Sequence, residues 1–184
     1  MTLWLIRHAA VPGTEGLCYG MSDAPACPQE TRLAAQALAP LLPRDAPLWV
    51  SGLRRTQQLG EALVQRRPDL GKPRIDERLN EMHFGCWEMR PWSAVPREAV
   101  DAWQAHFARH RFGGRESAQE VIQRVASALE GLRQMGLREA VWVTHAGVVR
   151  AVKFLQAHGL REIAGTHEWP LDAVPVGQHL EVAL

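Results

Sequence analysis

The sequence predicts an α/β fold, a three-layer sandwich with a mainly parallel central sheet and helices on both faces. Two observations predict it: short apolar runs alternate with longer segments whose apolar residues recur at helical spacing, and polar residues follow the apolar runs directly. The chain has 184 residues, within the usual length of one domain, so we expect residues 1–184 to form a single domain.

Four short apolar segments are predicted as strands. Residues 3–6, 48–50 and 140–143 are continuous apolar runs, the pattern typical of parallel strands buried on both faces. Residues 180–183 are expected to form a closing strand near the C-terminus.

Five segments have apolar residues at the spacing of one helix face and are predicted as helices. They are residues 31–42, 54–65, 97–109, 117–135 and 148–157. Ser117 and Glu120 form an S-x-x-E capping box, which predicts a helix start at that point. Residues 9–29 and 68–96 are rich in turn-forming residues and are expected to be mainly loop.

Charge and composition exclude several classes of function. The net charge is +1, so overall attraction to nucleic acid or to anionic lipid is not expected. No apolar stretch is long enough to span a membrane, and the N-terminal residues lack the pattern of a signal peptide. The three cysteines form no CxxC motif, which favours a reducing compartment, and we expect a cytoplasmic protein.

Polar residues follow three of the predicted strands. Arg7 and His8 come after the first strand, residues 51–55 (SGLRR) after the second, and Thr144 and His145 after the third. In open α/β sheets, ligands bind beyond the carboxyl ends of the strands. We therefore expect these side chains to meet at one edge of the sheet.

Two arginines and two histidines in one pocket suit a phosphate group. Each guanidinium offers a planar fork to two oxygens, and a neutral imidazole can attack phosphorus and carry the phosphoryl group. The leaving oxygen also needs a proton from a nearby acid. Glu81 is the candidate acid, with Asp76, Glu77 and Glu88 as rivals in the same loop.

Four segments together resemble a known family. They are LIRHAA (5–10), SGLRRTQQ (51–58), LNEMHFGCWE (79–88) and VTHAGVVRAV (143–152). Their order is that of the signature motifs of the histidine phosphatase superfamily, the group that includes cofactor-dependent phosphoglycerate mutases. The segments CYGMSDAP (18–25) and RLNEMHFGCWEMR (78–90) are most similar to its α-ribazole phosphatase branch, which serves cobalamin biosynthesis.

The resemblance implies a phosphoglycerate mutase-like fold and a phosphomonoesterase that needs neither metal nor cofactor. His8 matches the nucleophile that becomes phosphohistidine, and Glu81 matches the proton donor. His145 matches the second histidine of the pocket, which binds the phosphoryl oxygens. Arg7 and Arg55 match the two phosphate-binding arginines, with Arg54 as the neighbouring alternative if the register is shifted by one residue.

The sequence departs from the family pattern at several positions. Ala9 and Ala146 stand where the family commonly has glycine, and either would be strained if its backbone needed a positive φ. Arg115 is an insertion in a segment that otherwise resembles GGES, which leaves the role of Glu116 open.

Two further features have competing interpretations. Trp87 and Trp92 flank the acid loop; a structural role is favoured, but one of them could stack on an aromatic base of the substrate. His106 and His110 are four residues apart, which suits a metal pair, but no third ligand is spaced to complete the site. We favour a solvent-facing pair.

The substrate predicted from the resemblance is a small-molecule phosphomonoester, α-ribazole 5′-phosphate. The main alternative is a broad-specificity phosphatase that acts on sugar phosphates. A phosphoglycerate mutase and a phosphate-binding module without activity are less favoured. The sequence does not indicate an oligomeric state.

Overall fold

The computed structural model describes residues 1–172 and 174–184. In chain order its strands are β1 (Thr2–Arg7), β2 (Leu17–Cys18), β3 (Leu48–Val50), β4 (Arg74–Ile75), β5 (Arg90–Pro91), β6 (Glu139–Thr144) and β7 (His179–Ala183). Five of them form the central sheet in the order β4-β3-β6-β1-β7. All pairs in this sheet are parallel except β1 with β7, and β2 pairs with β5 in a separate antiparallel ribbon.

Helices cover both faces of the sheet. They are α1 (Pro28–Leu38), α2 (Arg54–Arg66), α3 (Arg97–Ala105), α4 (Ala118–Gln134) and α5 (Ala146–His158). Apolar residues of α1 and α2 pack against Ile6 and Val50 on one face, and those of α4 and α5 pack against Leu3 and Leu5 on the other. The predicted three-layer α/β sandwich is therefore confirmed.

Several predicted boundaries were wrong. The first helix runs from Pro28 to Leu38, because proline at the first helical turn loses no hydrogen bond. The third helix ends at Ala105, since His106 leaves helical geometry with φ −126°. The fifth begins two residues earlier than predicted, at Ala146. Strands β2, β4 and β5 have two residues each, too few for a pattern to show in the sequence.

The helix predicted from the capping box is present. Ser117 accepts a hydrogen bond from the Glu120 amide, and the Glu120 carboxylate accepts one from the Ser117 amide over 2.8 Å. Within residues 1–172 and 174–184, none of the helices combines the length and apolar character that crossing a bilayer requires.

The register of the parallel strands aligns the ends that carry the polar motifs. Arg7 of β1 lies opposite Thr144 of β6, and Val50 of β3 lies opposite Val143. The chain segments that follow β1, β3 and β6 therefore leave the sheet at the same edge, as the sequence predicts.

Candidate active site

Two buried histidines face each other at this edge. The ring centroids of His8 and His145 are 5.1 Å apart, and the two residues are 3% and 0% exposed. Nδ1 of His8 lies 2.7 Å from the carbonyl oxygen of Ala9, so Nδ1–H donates there and Nε2 keeps its lone pair. Burial, together with the positive charge of Arg55, lowers the pKa of His8 to about 3. His8 is therefore neutral at physiological pH.

His145 is held by groups from α2 and from the end of β3. Arg55 Nε donates to Nδ1 of His145 over 3.3 Å, which leaves Nε2–H to donate to Ser51 Oγ over 2.8 Å. Ser51 Oγ lies 2.8 Å from Thr56 Oγ1, which continues the chain of hydrogen bonds. Burial and the Arg55 charge hold the pKa of His145 well below its ordinary value, so it is also neutral.

Arg55 is the guanidinium beside His145. It is fully buried and donates to the carbonyl oxygens of Gly20 (2.5 Å) and Ser22 (2.7 Å). Arg54, the alternative, is exposed and pairs with Asp23 over 2.9 Å. The structure thus places Arg55, and not Arg54, in the candidate site.

Arg55 is buried and Arg7 is half-buried, and the two share a feature that is unusual at such positions. Neither has a carboxylate oxygen within 4.0 Å among the residues that the structure describes. Arg7 Nη1 donates to the Val174 carbonyl over 3.1 Å, while its buried Nε has no partner in the described part of the chain. Buried charges are normally paired, so an anion between these two guanidiniums would be stabilised.

The structure brings Glu81 to the same place through helix α5. Its Oε2 accepts from the Gly147 amide over 3.1 Å, and its Oε1 accepts from the Met82 amide over 3.0 Å. The first turn of α5 thus holds the carboxyl group through an amide that has no partner within the helix. His145 is the N-cap residue of α5, so this contact places the carboxyl group at the helix end that also carries His145.

The three rival carboxylates have other surroundings. Asp76 pairs with Arg78 over 2.7 Å, and Glu77 is exposed and lines a separate surface cavity. Burial raises the pKa of Glu88, but hydrogen bonds from backbone amides such as that of Gly20 and from the Ser22 hydroxyl outweigh it, and the net pKa lies below its ordinary value. Glu88 is therefore an ionised anchor for the loop around Gly20.

Glu116 supports the acid loop, a role that sequence reasoning missed. Its Oε1 accepts from Arg124 Nε over 2.7 Å, and its Oε2 accepts from the His83 amide over 3.0 Å. Arg124 also donates to the Asn80 carbonyl over 2.7 Å. These contacts hold both sides of Glu81. The partners are 8, 33 and 44 residues apart, so no local spacing in the sequence signals them.

The departures from the family pattern carry no backbone strain. Neither Ala9 nor Ala146 has a positive φ, so alanine is tolerated at both positions. Arg115 is exposed and lines the same surface cavity as Glu77.

Trp92 is 40% exposed and stacks on Phe112 at 5.9 Å, and Trp87 also contacts that ring. Both tryptophans thus belong to an aromatic cluster.

His106 and His110 follow α3, which ends at Ala105, so they do not share a helix face. Among residues 1–172 and 174–184, no group of three or more His, Cys, Asp or Glu side chains is placed to hold a metal ion. That the reaction needs no metal stays a prediction.

The family follows from a sequence comparison. A model described as the histidine phosphatase superfamily (branch 1) matches residues 3–167. The chain belongs to the histidine phosphatase superfamily. All five candidate site residues of this histidine phosphatase lie within the matched region.

Individual relatives agree with this family. The protein named "Putative phosphoserine phosphatase 2" of Hydrogenobacter thermophilus is 28% identical over 181 residues, covering 90% of this chain and 83% of its own. The crystal structure of TTHB049 from Thermus thermophilus is 31% identical with a TM-score of 0.73, covering 99% of this chain and 93% of that one. A phosphoglycerate mutase structure from the same organism is 33% identical with a TM-score of 0.71, covering 99% and 92%.

The buried histidines of this histidine phosphatase predict how its stability depends on pH. The pKa of His8 is 6.5 in the unfolded chain and about 3 in the folded protein, so on acidification the unfolded state binds the proton first. Stability is therefore full above pH 6.5 and falls as the pH drops towards 3. Between about pH 7 and pH 5, His8 alone should cost about 2 kcal/mol of unfolding free energy.

Urea unfolding of wild type and His8→Asn at the two pH values checks this. The variant lacks the titrating ring, so its loss of unfolding free energy on acidification should be smaller by about 2 kcal/mol. Equal losses in the two proteins would show that His8 titrates normally in the folded state.

The contact between Gly147 and Glu81 predicts a selective effect on activity. A Cβ added at Gly147 would lie 2.1 Å from Glu81 Oε1, so Gly147→Ala must push the carboxyl group away. Because a Glu side chain is flexible, the protein should still fold. If Glu81 is the proton donor that the sequence predicts, kcat should fall by roughly 10- to 100-fold. Steady-state kinetics and thermal unfolding measure the two effects.

Gly131→Ala is the matched control. Its Cβ would meet only Arg78 at 3.8 Å, an ordinary contact, on helix α4. We expect unchanged kinetics and a gain in stability of about 0.5–1 kcal/mol from helix propensity. A Gly147→Ala enzyme as active as wild type would refute the positioning of Glu81 by α5.

Proposed function

We propose that the protein is a metal-independent phosphomonoesterase that works through a phosphohistidine at His8. One observation carries the proposal: neutral His8, with its Nδ1 proton fixed on the Ala9 carbonyl, lies in a site with two guanidiniums that have no carboxylate partner among the residues that the structure describes. A nucleophilic nitrogen close to two guanidiniums suits phosphoryl transfer.

In the first step, the substrate phosphate binds between Arg7 and Arg55, which neutralise its charge. The lone pair on His8 Nε2 attacks phosphorus and the phosphorus–oxygen bond to the leaving group breaks. Protonated Glu81 gives its proton to the leaving oxygen. The resulting imidazolium keeps its Nδ1 proton on the Ala9 carbonyl.

In the second step, water hydrolyses the phosphohistidine. Glu81, now a carboxylate, takes a proton from the water as its oxygen attacks phosphorus, and the electron pair of the phosphorus–nitrogen bond returns to Nε2. Free phosphate and neutral His8 result, so atoms and charges balance over the cycle.

We propose His145 as the second histidine of the phosphate pocket. Its only N–H is given to Ser51 in this structure. Direct donation to a phosphoryl oxygen therefore needs the ring to exchange Ser51 for the phosphate. Because the ring is neutral, no second positive charge is buried beside Arg55.

For the substrate we propose α-ribazole 5′-phosphate, on the resemblance of residues 18–25 and 78–90 to that branch. A second candidate is a small phosphorylated amino acid, O-phosphoserine, on the name of the Hydrogenobacter relative. The phosphate pocket does not read the leaving group, so broad specificity for sugar phosphates is the remaining alternative.

Steady-state hydrolysis with EDTA present tests the proposal. The panel is α-ribazole 5′-phosphate, O-phosphoserine and several sugar phosphates. A kcat/KM for α-ribazole 5′-phosphate at least ~100-fold above the rest, about 2.7 kcal/mol, is the expected result. Similar kcat/KM values across the panel would be compatible with the mechanism but would overturn α-ribazole 5′-phosphate as the substrate. Loss of turnover with EDTA would overturn metal independence, and no turnover of any ester would overturn the function.

A further inference from the structure

The loop formed by Gly20, Met21 and Ser22 is hydrogen-bonded to two charged side chains. Its three successive amides donate to the carboxylate of Glu88, over 3.0, 2.9 and 3.1 Å. The carbonyl oxygens of Gly20 and Ser22 accept instead from the two terminal nitrogens of Arg55. The loop therefore joins a carboxylate to the guanidinium that is proposed to bind phosphate.

One peptide unit of this loop connects the two charged groups directly. The amide of Met21 and the carbonyl of Gly20 belong to the same planar unit, in which N–H and C=O point in opposite directions. Glu88 Oε1 accepts from that amide over 2.9 Å, and the carbonyl accepts from Arg55 Nη2 over 2.5 Å. Hydrogen bonds in such a chain polarise one another, so the carboxylate strengthens the contact between the carbonyl and the guanidinium.

These contacts fix the orientation of Arg55 and leave part of it available. A guanidinium has five N–H donors. Nε donates to His145, and each terminal nitrogen gives one N–H to a carbonyl of the loop. One N–H on each terminal nitrogen then has no partner among the residues that the structure describes, and such a pair can bind two oxygens of one phosphate. The loop separates the Glu88 carboxylate from this pair, so the carboxylate does not compete with an anion for it.

Glu88 also ties the loop to the segment that carries the candidate acid. Its Oε1 accepts from the Phe84 amide over 2.9 Å. A Cβ added at Gly20 would lie 1.9 Å from the carbonyl oxygen of Met82, so the backbone of the loop lies directly against this segment. The pKa of Glu88 is below its ordinary value, so the carboxylate is charged at neutral pH. One charged group thus holds the loop in place through four backbone amides.

We infer that Glu88 is a positioning residue for phosphate binding, because it holds the loop whose carbonyl oxygens orient the guanidinium of Arg55. The inference rests on the proposed function, in which Arg55 binds the substrate phosphate. Glu88 does not touch the substrate and acts only through the loop and Arg55. Its loss should therefore weaken binding of the phosphoryl group that all phosphomonoesters share, whatever the leaving group.

NMR titration of Glu88→Gln with inorganic phosphate tests the inference without turnover. Gln keeps the size of the side chain, but its NH2 group cannot accept from the loop amides. The Kd for phosphate should rise by roughly 10- to 100-fold, the effect of losing one charge-assisted hydrogen bond. In an Arg55→Gln background, the same substitution should change the Kd by less than about twofold, since no guanidinium is left to position. Equal effects in the two backgrounds, or none in either, would overturn the inference.

Asp69→Asn is the matched control, because Asp69 is also a carboxylate that holds a loop. It accepts from the amide of Asp45 over 3.2 Å and from Arg67 over 2.6 Å, beyond the opposite end of α2 from Arg55. Asp69→Asn should keep the wild-type Kd for phosphate, whatever its thermal unfolding temperature. A loss of phosphate binding as large as that in Glu88→Gln would show a general effect of destabilisation and would overturn the inference.

Kinetics separate this role from an effect on the candidate acid. If the wild-type protein is an active phosphatase, Glu88→Gln should lower kcat/KM by the same factor for alkyl and p-nitrophenyl esters, because both carry the same phosphoryl group. A loss confined to alkyl esters would mean that Glu88 acts through the segment that carries Glu81. That result would overturn the inference, while the proposed function would stand.

Phosphate binding keeps the inference testable if the proposed function fails. If the wild-type protein hydrolysed no ester, weaker phosphate binding in Glu88→Gln that depends on Arg55 would still support the positioning role. If Glu88→Gln failed to fold, Glu88→Asp would replace it, because its carboxylate is one methylene too short to reach all the loop amides. An unchanged Kd for phosphate in Glu88→Asp would then overturn the inference.

Discussion

His8→Ala should remove hydrolysis of every phosphomonoester that the wild-type protein accepts. In the proposed mechanism this side chain supplies the attacking nitrogen, and His145 cannot replace it, because its Nε2 is bonded to Ser51. Loss of a covalent nucleophile lowers kcat by roughly 10⁴-fold or more. Initial-rate assays over a range of enzyme concentrations measure the residual activity.

His106→Ala controls for the loss of a histidine. His106 lies at the end of α3, outside the site, and is exposed. It should retain wild-type kinetics. A His8→Ala enzyme within tenfold of wild type, or a His106→Ala enzyme that is inactive, would overturn the assignment of the nucleophile.

Glu81→Gln should lower kcat/KM, which reports the steps up to departure of the leaving group, by roughly 10²–10⁴-fold on esters with poorly leaving alkoxides. The amide keeps the size and the contact with the Gly147 amide but cannot donate a proton and then accept one. The loss should shrink for p-nitrophenyl phosphate, because a phenolate of low basicity leaves without a proton. The ratio of kcat/KM for the two kinds of ester, in variant and wild type, is the measurement.

Glu77→Gln serves as the matched control for the acid. Glu77 is a rival carboxylate only four residues away, but it is exposed and lines a different cavity. Glu77→Gln should leave kcat/KM unchanged for both kinds of ester. If Glu81→Gln lowered kcat/KM equally for alkyl and p-nitrophenyl esters, Glu81 would not be the donor of the proton to the leaving group.

Much of the fold could be predicted because its signals are local. The buried parallel strands are continuous apolar runs, and α4 begins at a capping box within four residues of sequence. The wrong helix boundaries lie where the local signal is weak or fits more than one position. Thr31 at the predicted start of α1 is a good cap residue, yet it lies inside the helix, since Pro28 begins it three residues earlier.

The site could be predicted because parallel strands end at one edge. The register of β1 with β6 is sufficient to bring His8 and His145 together. What the sequence could not show are the contacts between distant segments. The acceptor for His8 Nδ1 is the backbone carbonyl of the next residue, which depends on the local chain direction. The contacts of Glu116 with the His83 amide and with Arg124 of α4 form only in the folded chain.

The phosphohistidine itself is the most direct test of the account. Phosphohistidine is stable in alkali and labile in acid, so wild-type enzyme turning over a ³²P-labelled substrate can be quenched in alkali, digested and mapped. The proposed mechanism predicts ³²P label on the peptide that contains His8. Brief acid treatment should remove this label, and His8→Ala should lack it. Label on the peptide that contains His145, or turnover with no labelled protein, would contradict it.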